Sequence, residues 1–131
     1  SSYLTIWLVR MMWTSATDHA TPEAYHTTFR TFASSIERGG KLIYFDGDPV
    51  VKQLAQEVRE DITAMPYDQH VVVEKEGKTY LQTRYGDFPV YIPDRFFLIN
   101  LNAARLACRQ LGVKDADFYQ ALSEYSVSLQ P

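Results

Sequence analysis

The chain has 131 residues, of which 46% are hydrophobic and 22% are charged. This length and composition are typical of one globular domain and argue against disorder. The net charge is −3 and no basic block occurs, so nucleic acid is not an expected partner. The longest apolar run, residues 3–9, is far shorter than the ~20 residues that cross a bilayer, so no membrane span is expected.

The first 40 residues predict a strand, a loop and a helix. Residues 3–9 lack alternation, which favours a strand covered on both faces, as in a parallel sheet. A polar loop follows over residues 14–20. Thr21-Pro22-Glu23 has the N-cap residue, the proline and the acid of a helix start. Phe32, Ala33 and Ile36 continue its apolar stripe, and Gly39-Gly40 ends it.

A second strand and helix follow at once. Residues 41–45 predict a buried strand, and Asp46-Gly47-Asp48-Pro49 predicts a turn with Asp48 as the N-cap of a helix. Val51 and Leu54 belong to the apolar stripe of that helix. Because a helix separates the two strands, we expect them to pair in parallel through a right-handed crossover.

After Glu60 the pattern becomes rich in strands. Residues 71–74 and 78–82 flank Lys75-Glu76-Gly77, which predicts a hairpin, and a short strand covers 88–92. A helix through Asn100 ends at Gly112, and a last helix covers residues 115–125. The apolar faces of these two helices are predicted to comprise Leu101, Ala104, Cys108 and Leu111, and Phe118, Ala121, Leu122 and Tyr125.

Cys108 is the only cysteine, so no disulfide can form within the chain. On the apolar face of a helix, a cysteine usually packs as a small hydrophobic residue. The lack of a disulfide framework and of a secretory signal predicts the reducing cytoplasm as the location.

Two pairs of side chains are candidates for chemistry. Asp18-His19 lies in the loop after the first strand, where the imidazole could bind a divalent cation or carry a proton, or be an inert surface side chain. Asp46 and Asp48 could hold Mg²⁺ through water or contact a ribose, or else form an Asx turn and a helix cap. His26 and His70 have no partner at useful spacing and are expected to be solvated.

A complete catalytic set is not visible in the sequence. Gly39-Gly40 is not followed by the Lys-Ser/Thr that a phosphate-binding loop requires. No Ser/His/Asp grouping and no Cys/His metal spacing occurs, so no catalytic residue is assigned. Residues 100–112 begin with Asn-Leu-Asn-Ala-Ala and contain further small residues. They predict a helix that a flat ligand could approach closely, because small side chains leave space beside it.

Taken in order, these pieces resemble the central domain of the Mur ligases, the ATP-dependent amide ligases that build and recycle the peptidoglycan peptide. The family has an Asp-His pair, a Phe-x-x-Phe helix, a Gly-Lys-x-Ile-x strand, an Asp-Asp-Pro-like turn, and a helix opening with Gly-x-His-Asn-x-x-Asn-x-x-Ala-Ala. The counterparts, within residues 14–126, are Asp18-His19, Phe29-Arg30-Thr31-Phe32, Gly40-Lys41-Leu42-Ile43-Tyr44, Asp46-Gly47-Asp48-Pro49 and residues 94–104.

The resemblance implies a fold and a site. It implies an α/β fold that is part of a three-layer, mostly parallel-sheet ATPase domain with an added β-hairpin region. Residues 1–126 would form the C-terminal part of this ATP-binding domain, and residues 127–131 a linker or boundary. Carried over by motif, His19 would help to bind Mg²⁺ and Asn100 would contact the adenine of ATP.

Two differences from the family motifs bear on which kind of Mur ligase the chain resembles. Phe29 stands where many members have a carbamylated lysine, and Phe96-Phe97 replaces the His-Asn pair of the motif. The first departure implies a ligase that joins UDP-N-acetylmuramate to L-alanyl-γ-D-glutamyl-meso-diaminopimelate, or alternatively to L-alanine. The chain is expected to be a fragment without ligase activity of its own, meeting its substrates through other domains. The second departure favours a rival, a non-catalytic α/β module that binds a nucleotide or a partner.

Overall fold

The computed structural model describes residues 6–9, 27 and 30–131. The chain divides into two compact units, Ser1–Asp68 and Gln69–Pro131. The first contains a parallel sheet and the second an antiparallel sheet, so the fold is mixed α/β. Within the described ranges, no helix combines the length and the apolar character that crossing a membrane demands.

The sheet of the first unit has three parallel strands in the order β1-β2-β3, which are Ile6–Val9, Lys41–Phe45 and Thr63–Tyr67. Val9 lies opposite Tyr44, which confirms the predicted parallel pairing of the first two strands. No strand was predicted at β3, because Thr63–Tyr67 contains Pro66 and shows no alternation of polar and apolar residues. Proline is tolerated there because β3 is an edge strand among the described strands.

The core of the first unit lies between β2 and helix α1, Pro49–Ala55. Leu42 and Tyr44 share one face of β2 and cluster with Val51 and Leu54 of the helix. Ile43, on the opposite face, is also fully buried, as expected for a strand of a parallel sheet. The predicted apolar stripe of residues 32–36 is confirmed, since it packs against the same cluster.

The sheet of the second unit is antiparallel, in the order β4-β5-β6: Val72–Lys75, Lys78–Thr83 and Gly86–Pro89. Lys75 pairs with Lys78 across the two-residue turn of Glu76 and Gly77. Both turn residues have positive φ, 53° and 76°, as a tight hairpin turn with the right twist needs. The predicted hairpin is therefore confirmed, whereas the next strand begins and ends earlier than the predicted range of 88–92.

Two helices complete the second unit, α2 over Phe97–Gln110 and α3 over Asp115–Ser128. The predicted apolar face of α2 is wrong in part, because Ala104 is exposed and Leu111 is 71% exposed. Leu101 joins the core cluster as predicted, together with Leu98, Leu81, Val90 and Tyr119. The buried face of α2 thus includes Leu101 but excludes Ala104 and Leu111.

The buried face of α3 is largely polar. Ser126 is fully buried, and its Oγ accepts a hydrogen bond from the Tyr91 backbone N–H at 3.2 Å. The buried Ser123 donates its Oγ–H to the carbonyl of Pro89. Conversely, Tyr125, predicted on the apolar face, is 60% exposed. Because the serine side chains are small, α3 can lie close to residues 89–91. The serine hydroxyls form hydrogen bonds with backbone groups there.

Candidate functional site

Asn100, the predicted adenine contact, lies in the first turn of α2, and its side chain is exposed. Its backbone N–H donates to the carbonyl of Phe96 at 2.9 Å. Just before the helix, the Asp94 carboxylate accepts the N–H of Phe96 at 2.8 Å, and the Asp94 carbonyl accepts that of Phe97 at 3.3 Å. The first turn that presents Asn100 is thus built on Asp94, which satisfies otherwise orphaned donors.

Phe96 and Phe97, which stand at two positions expected to be polar, have separate structural roles. Phe97 is half-buried and packs against the core cluster of the second unit. Phe96 is also half-buried, and the guanidinium of Arg95 lies 4.6 Å from the centre of its ring. Such a cation–π contact covers the aromatic face. Both rings therefore contribute to packing at the start of α2.

His70 occupies a position that the sequence did not anticipate. It was expected to be solvated, but it is only 8% exposed. Its Nδ1 lies 2.8 Å from the carbonyl of Val71, and its Nε2 lies 2.7 Å from the hydroxyl of Tyr119. Its backbone N–H donates to the carbonyl of Leu98 at 3.1 Å. The expectation was wrong because the main partner, Tyr119, lies 49 positions away along the chain.

The partners of His70 determine its protonation. A backbone carbonyl can only accept, so we assign the ring proton to Nδ1, and Nε2 then accepts the hydroxyl proton of Tyr119. Burial lowers the pKa of His70; the Val71 carbonyl opposes this shift and the charge of Arg105 adds to it. Burial also raises the pKa of Tyr119. Both shifts favour a neutral imidazole facing a neutral phenol near pH 7.

A charged group borders this pair. The carboxylate of Asp115, at the start of α3, accepts from Arg105 at 2.9 Å and from Arg109. The hydrogen bond from Arg109 is the main cause that lowers the pKa of Asp115. Arg105 also donates to the side chain of Asn102 at 3.2 Å, and its guanidinium lies 5.9 Å from the ring centre of Tyr119. The cluster therefore ties α2 to α3 beside His70.

In the first unit, Asp48 has the capping role that was one of its two predicted interpretations. Its carboxylate accepts from the N–H groups of Val50 and Val51 at 2.9 and 3.3 Å. Asp46, at the end of β2, donates its backbone N–H to Tyr67 at 2.8 Å and lies 3.8 Å from the Lys52 ammonium. The two carboxylates thus have structural partners at the carboxyl edge of the sheet.

The structure does not test His19, the predicted metal ligand. Asp18, His19 and His26 fall outside the described residues. Over the part of the chain that is described, no three His, Cys, Asp or Glu side chains are grouped so that they could hold a metal ion. Cys108 is half-buried with a free thiol, in partial agreement with its predicted packing role.

The chain matches no protein-family model and no curated protein. A functional assignment therefore depends on the motifs of the chain and on where the structure places them.

Proposed function

We propose that the chain is part of the ATP-binding central domain of a Mur ligase that joins UDP-N-acetylmuramate to L-alanyl-γ-D-glutamyl-meso-diaminopimelate. The observation that carries the proposal is Asn100, exposed in the first turn of α2 at the place of the family's adenine-contacting asparagine. The order of elements adds support: Lys41–Phe45 is a strand, Asp48 begins a helix, and strands β4 to β6 precede α2. The three-layer ATPase architecture and a cytoplasmic location belong to the same proposal.

An asparagine amide suits an adenine. Its NH₂ group donates and its carbonyl accepts, which matches the adjacent donor and acceptor on the adenine edge. The backbone of the turn that carries Asn100 is held by hydrogen bonds at Asp94 and Leu98. A fixed backbone reduces the ordering that the site needs on binding, which favours affinity.

In the proposed reaction the substrate carboxylate attacks the γ-phosphate of ATP, and an acyl phosphate forms as the bond to ADP breaks. The incoming amine attacks that carbonyl, and phosphate leaves. Bound Mg²⁺ would neutralise the charge on the phosphate oxygens. His19 is the proposed ligand, because an imidazole is a common donor for divalent metals. Asn100 would orient the adenine end of ATP, and the phosphate-binding lysine would come from outside this chain.

A titration of MgATP into the chain, followed by calorimetry, tests the proposal. We expect binding, and we expect Asn100→Ala to weaken it by about 1–3 kcal/mol, the range for one bidentate amide–adenine contact. Gln53→Ala, which removes an exposed amide from α1, is the matched control. Binding that Asn100→Ala leaves unchanged would remove Asn100 from the proposed site.

A second assay addresses the chemistry. The chain alone is expected to release no phosphate from ATP in the presence of UDP-N-acetylmuramate and the tripeptide, because it contains no phosphate-binding loop. Clear turnover would contradict the proposed dependence on other domains. The alternative substrate, L-alanine, is distinguished by comparing the two amines in the same assay on the parent polypeptide.

The rival function is a non-catalytic nucleotide-binding or interaction module. The observation that favours it is the packing of Phe96 and Phe97, since both rings fill positions where the family has polar contacts to the nucleotide. Complete absence of MgATP binding by the unmodified chain would favour the interaction module over the ligase fragment.

A further inference from the structure

We propose that His70 is a positioning residue for Asn100, which makes the presentation of Asn100 at the start of α2 sensitive to acid. The nucleotide-binding consequence rests on the function proposed above. The coupling between His70 and the first turn of α2 is independent of that function and is tested separately.

The coupling is a short chain of contacts. The backbone N–H of His70 donates to the carbonyl of Leu98, the second residue of α2, at 3.1 Å. The ring of His70 is fixed on one side by Val71 and on the other by Tyr119, at 2.8 and 2.7 Å. Leu98 is itself buried in the core cluster. Displacement of the imidazole therefore moves a backbone bond that holds the turn in which Asn100 lies.

Protonation would place a positive charge on the buried imidazole, and repulsion by Arg105 would favour its displacement. Once Nε2 carries a proton it can no longer accept from Tyr119, and the hydroxyl must turn to accept instead. The charged groups near the ring are Arg105 and Arg109 of α2 and Asp115 of α3, and the titratable hydroxyls are those of Tyr119 and Tyr85. Asp115 is bound by both guanidinium groups, so a new cation meets a net positive charge.

The sign of the effect follows from the direction of the pKa shift. Burial holds the pKa of folded His70 below the value of about 6.5 that the unfolded chain has. The contribution of the neutral ring to stability is therefore fully present above that value. It is lost as the pH falls from there towards the folded pKa, because the unfolded chain then binds more protons.

A pH titration of the 131-residue chain by NMR tests the coupling. We expect the ring of His70 to titrate with a midpoint below 6.5, and the backbone amide of Asn100 to shift with the same midpoint. The amide of Gln53 in α1 is the control and should not follow it. A His70 that titrates while the Asn100 amide stays unchanged would overturn the proposal.

Two variants separate coupling from general acid effects. His70→Gln should abolish the shared transition of the Asn100 amide. If that variant does not fold, Tyr119→Phe still decides, because it removes the donor to the neutral ring and should raise the midpoint of both His70 and Asn100. Tyr125→Phe, an exposed tyrosine on the same helix, should leave both midpoints unchanged. Equal midpoints in the Tyr119 and Tyr125 variants would contradict the proposal.

A binding experiment compares the MgATP affinity of the unmodified chain with that of His70→Gln at each pH. Because the titration of ATP affects both proteins equally, the difference between them reports on His70. We expect the unmodified chain to lose affinity through the Asn100 transition while the variant loses less. Equal pH dependence in both would overturn the positioning role in binding. If MgATP binds neither protein at any pH while the amide transition is present, the proposed function fails and the coupling stands.

Discussion

The described residues of the two units bury polar groups to different extents. Among those of the first unit, Asp48 is the buried polar residue, and it caps a helix whose core cluster is made of hydrophobic residues. The second unit buries His70, Ser123 and Ser126 among the described residues, each hydrogen-bonded to a distant part of the chain. A buried polar group stabilises only when its partner is in place, so such contacts specify one arrangement. The second unit should therefore respond to pH and to polar substitutions that the first would tolerate.

The largest effect is expected from apolar truncation, which should affect both units similarly. Leu42→Ala and Leu81→Ala each remove a fully buried side chain and should lower the free energy of unfolding by about 2–5 kcal/mol. Urea unfolding followed by circular dichroism measures the change. Leu111→Ala, at a 71% exposed position, is the control and should change it by less than about 0.5 kcal/mol. A similar loss in the control would contradict the core assignment.

The next largest loss of stability is expected from a polar substitution in the second unit. Asp115→Asn leaves Arg105 and Arg109 without their carboxylate, and because the Asp115 side chain is only 13% exposed we expect a loss of about 2 kcal/mol. Because the pKa of Asp115 is lowered in the folded chain, its carboxylate contributes fully to stability above the usual carboxyl pKa. That contribution to stability is lost as the pH falls towards the pKa of the folded state. Asp117→Asn, an exposed acid in the same turn, should change little in the same unfolding experiment.

A steric test applies to the turn after β2. A Cβ on Gly47 would lie 2.3 Å from the ring of Phe45, so Gly47→Ala forces that ring to move. We expect a loss of about 1.5 kcal/mol in unfolding free energy, because the half-buried ring can partly yield. In a double-mutant cycle, Phe45→Leu should reduce the cost of Gly47→Ala. Additive losses would show that the ring contact is not the cause.

The smallest effect distinguishes the two carboxylates of the same turn. Asp48→Ala removes the cap of α1 and should lower the unfolding free energy by about 1 kcal/mol. Asp46→Ala removes only an exposed 3.8 Å contact with Lys52, which is worth little. Equal losses, measured by thermal unfolding, would mean that the carboxylate of Asp48 does not stabilise α1.

Local signals predicted much of the fold. The Asp48 cap, the Glu76-Gly77 hairpin and the position of Asn100 in an early helical turn depend on residues close together in sequence. The parallel pairing of β1 with β2 joins distant residues, but the strand–helix–strand order of the sequence predicted it. Strand β3 was missed because Pro66 and the lack of alternation in Thr63–Tyr67 give no strand signal, and backbone pairing with β2 forms it instead. The predicted face of α3 is right in part, since Phe118 and Leu122 pack against the core cluster, but it omitted the buried Tyr119, Ser123 and Ser126.

The candidate site also has a part that the sequence predicted and a part that it did not. The motif places Asn100 by sequence alone, because an early helical turn is a local property of the chain. Tertiary structure decided the distant part of the environment of Asn100, in which His70 is joined to Leu98 and to Tyr119, whereas the bonds of Asp94 below the turn are local. The partners of a buried histidine are chosen by folding, since hydrogen bonds across 49 residues leave no periodic trace in the sequence. Local propensity thus determined which residues begin and end the elements, and burial of polar groups determined how those elements are oriented within the second unit.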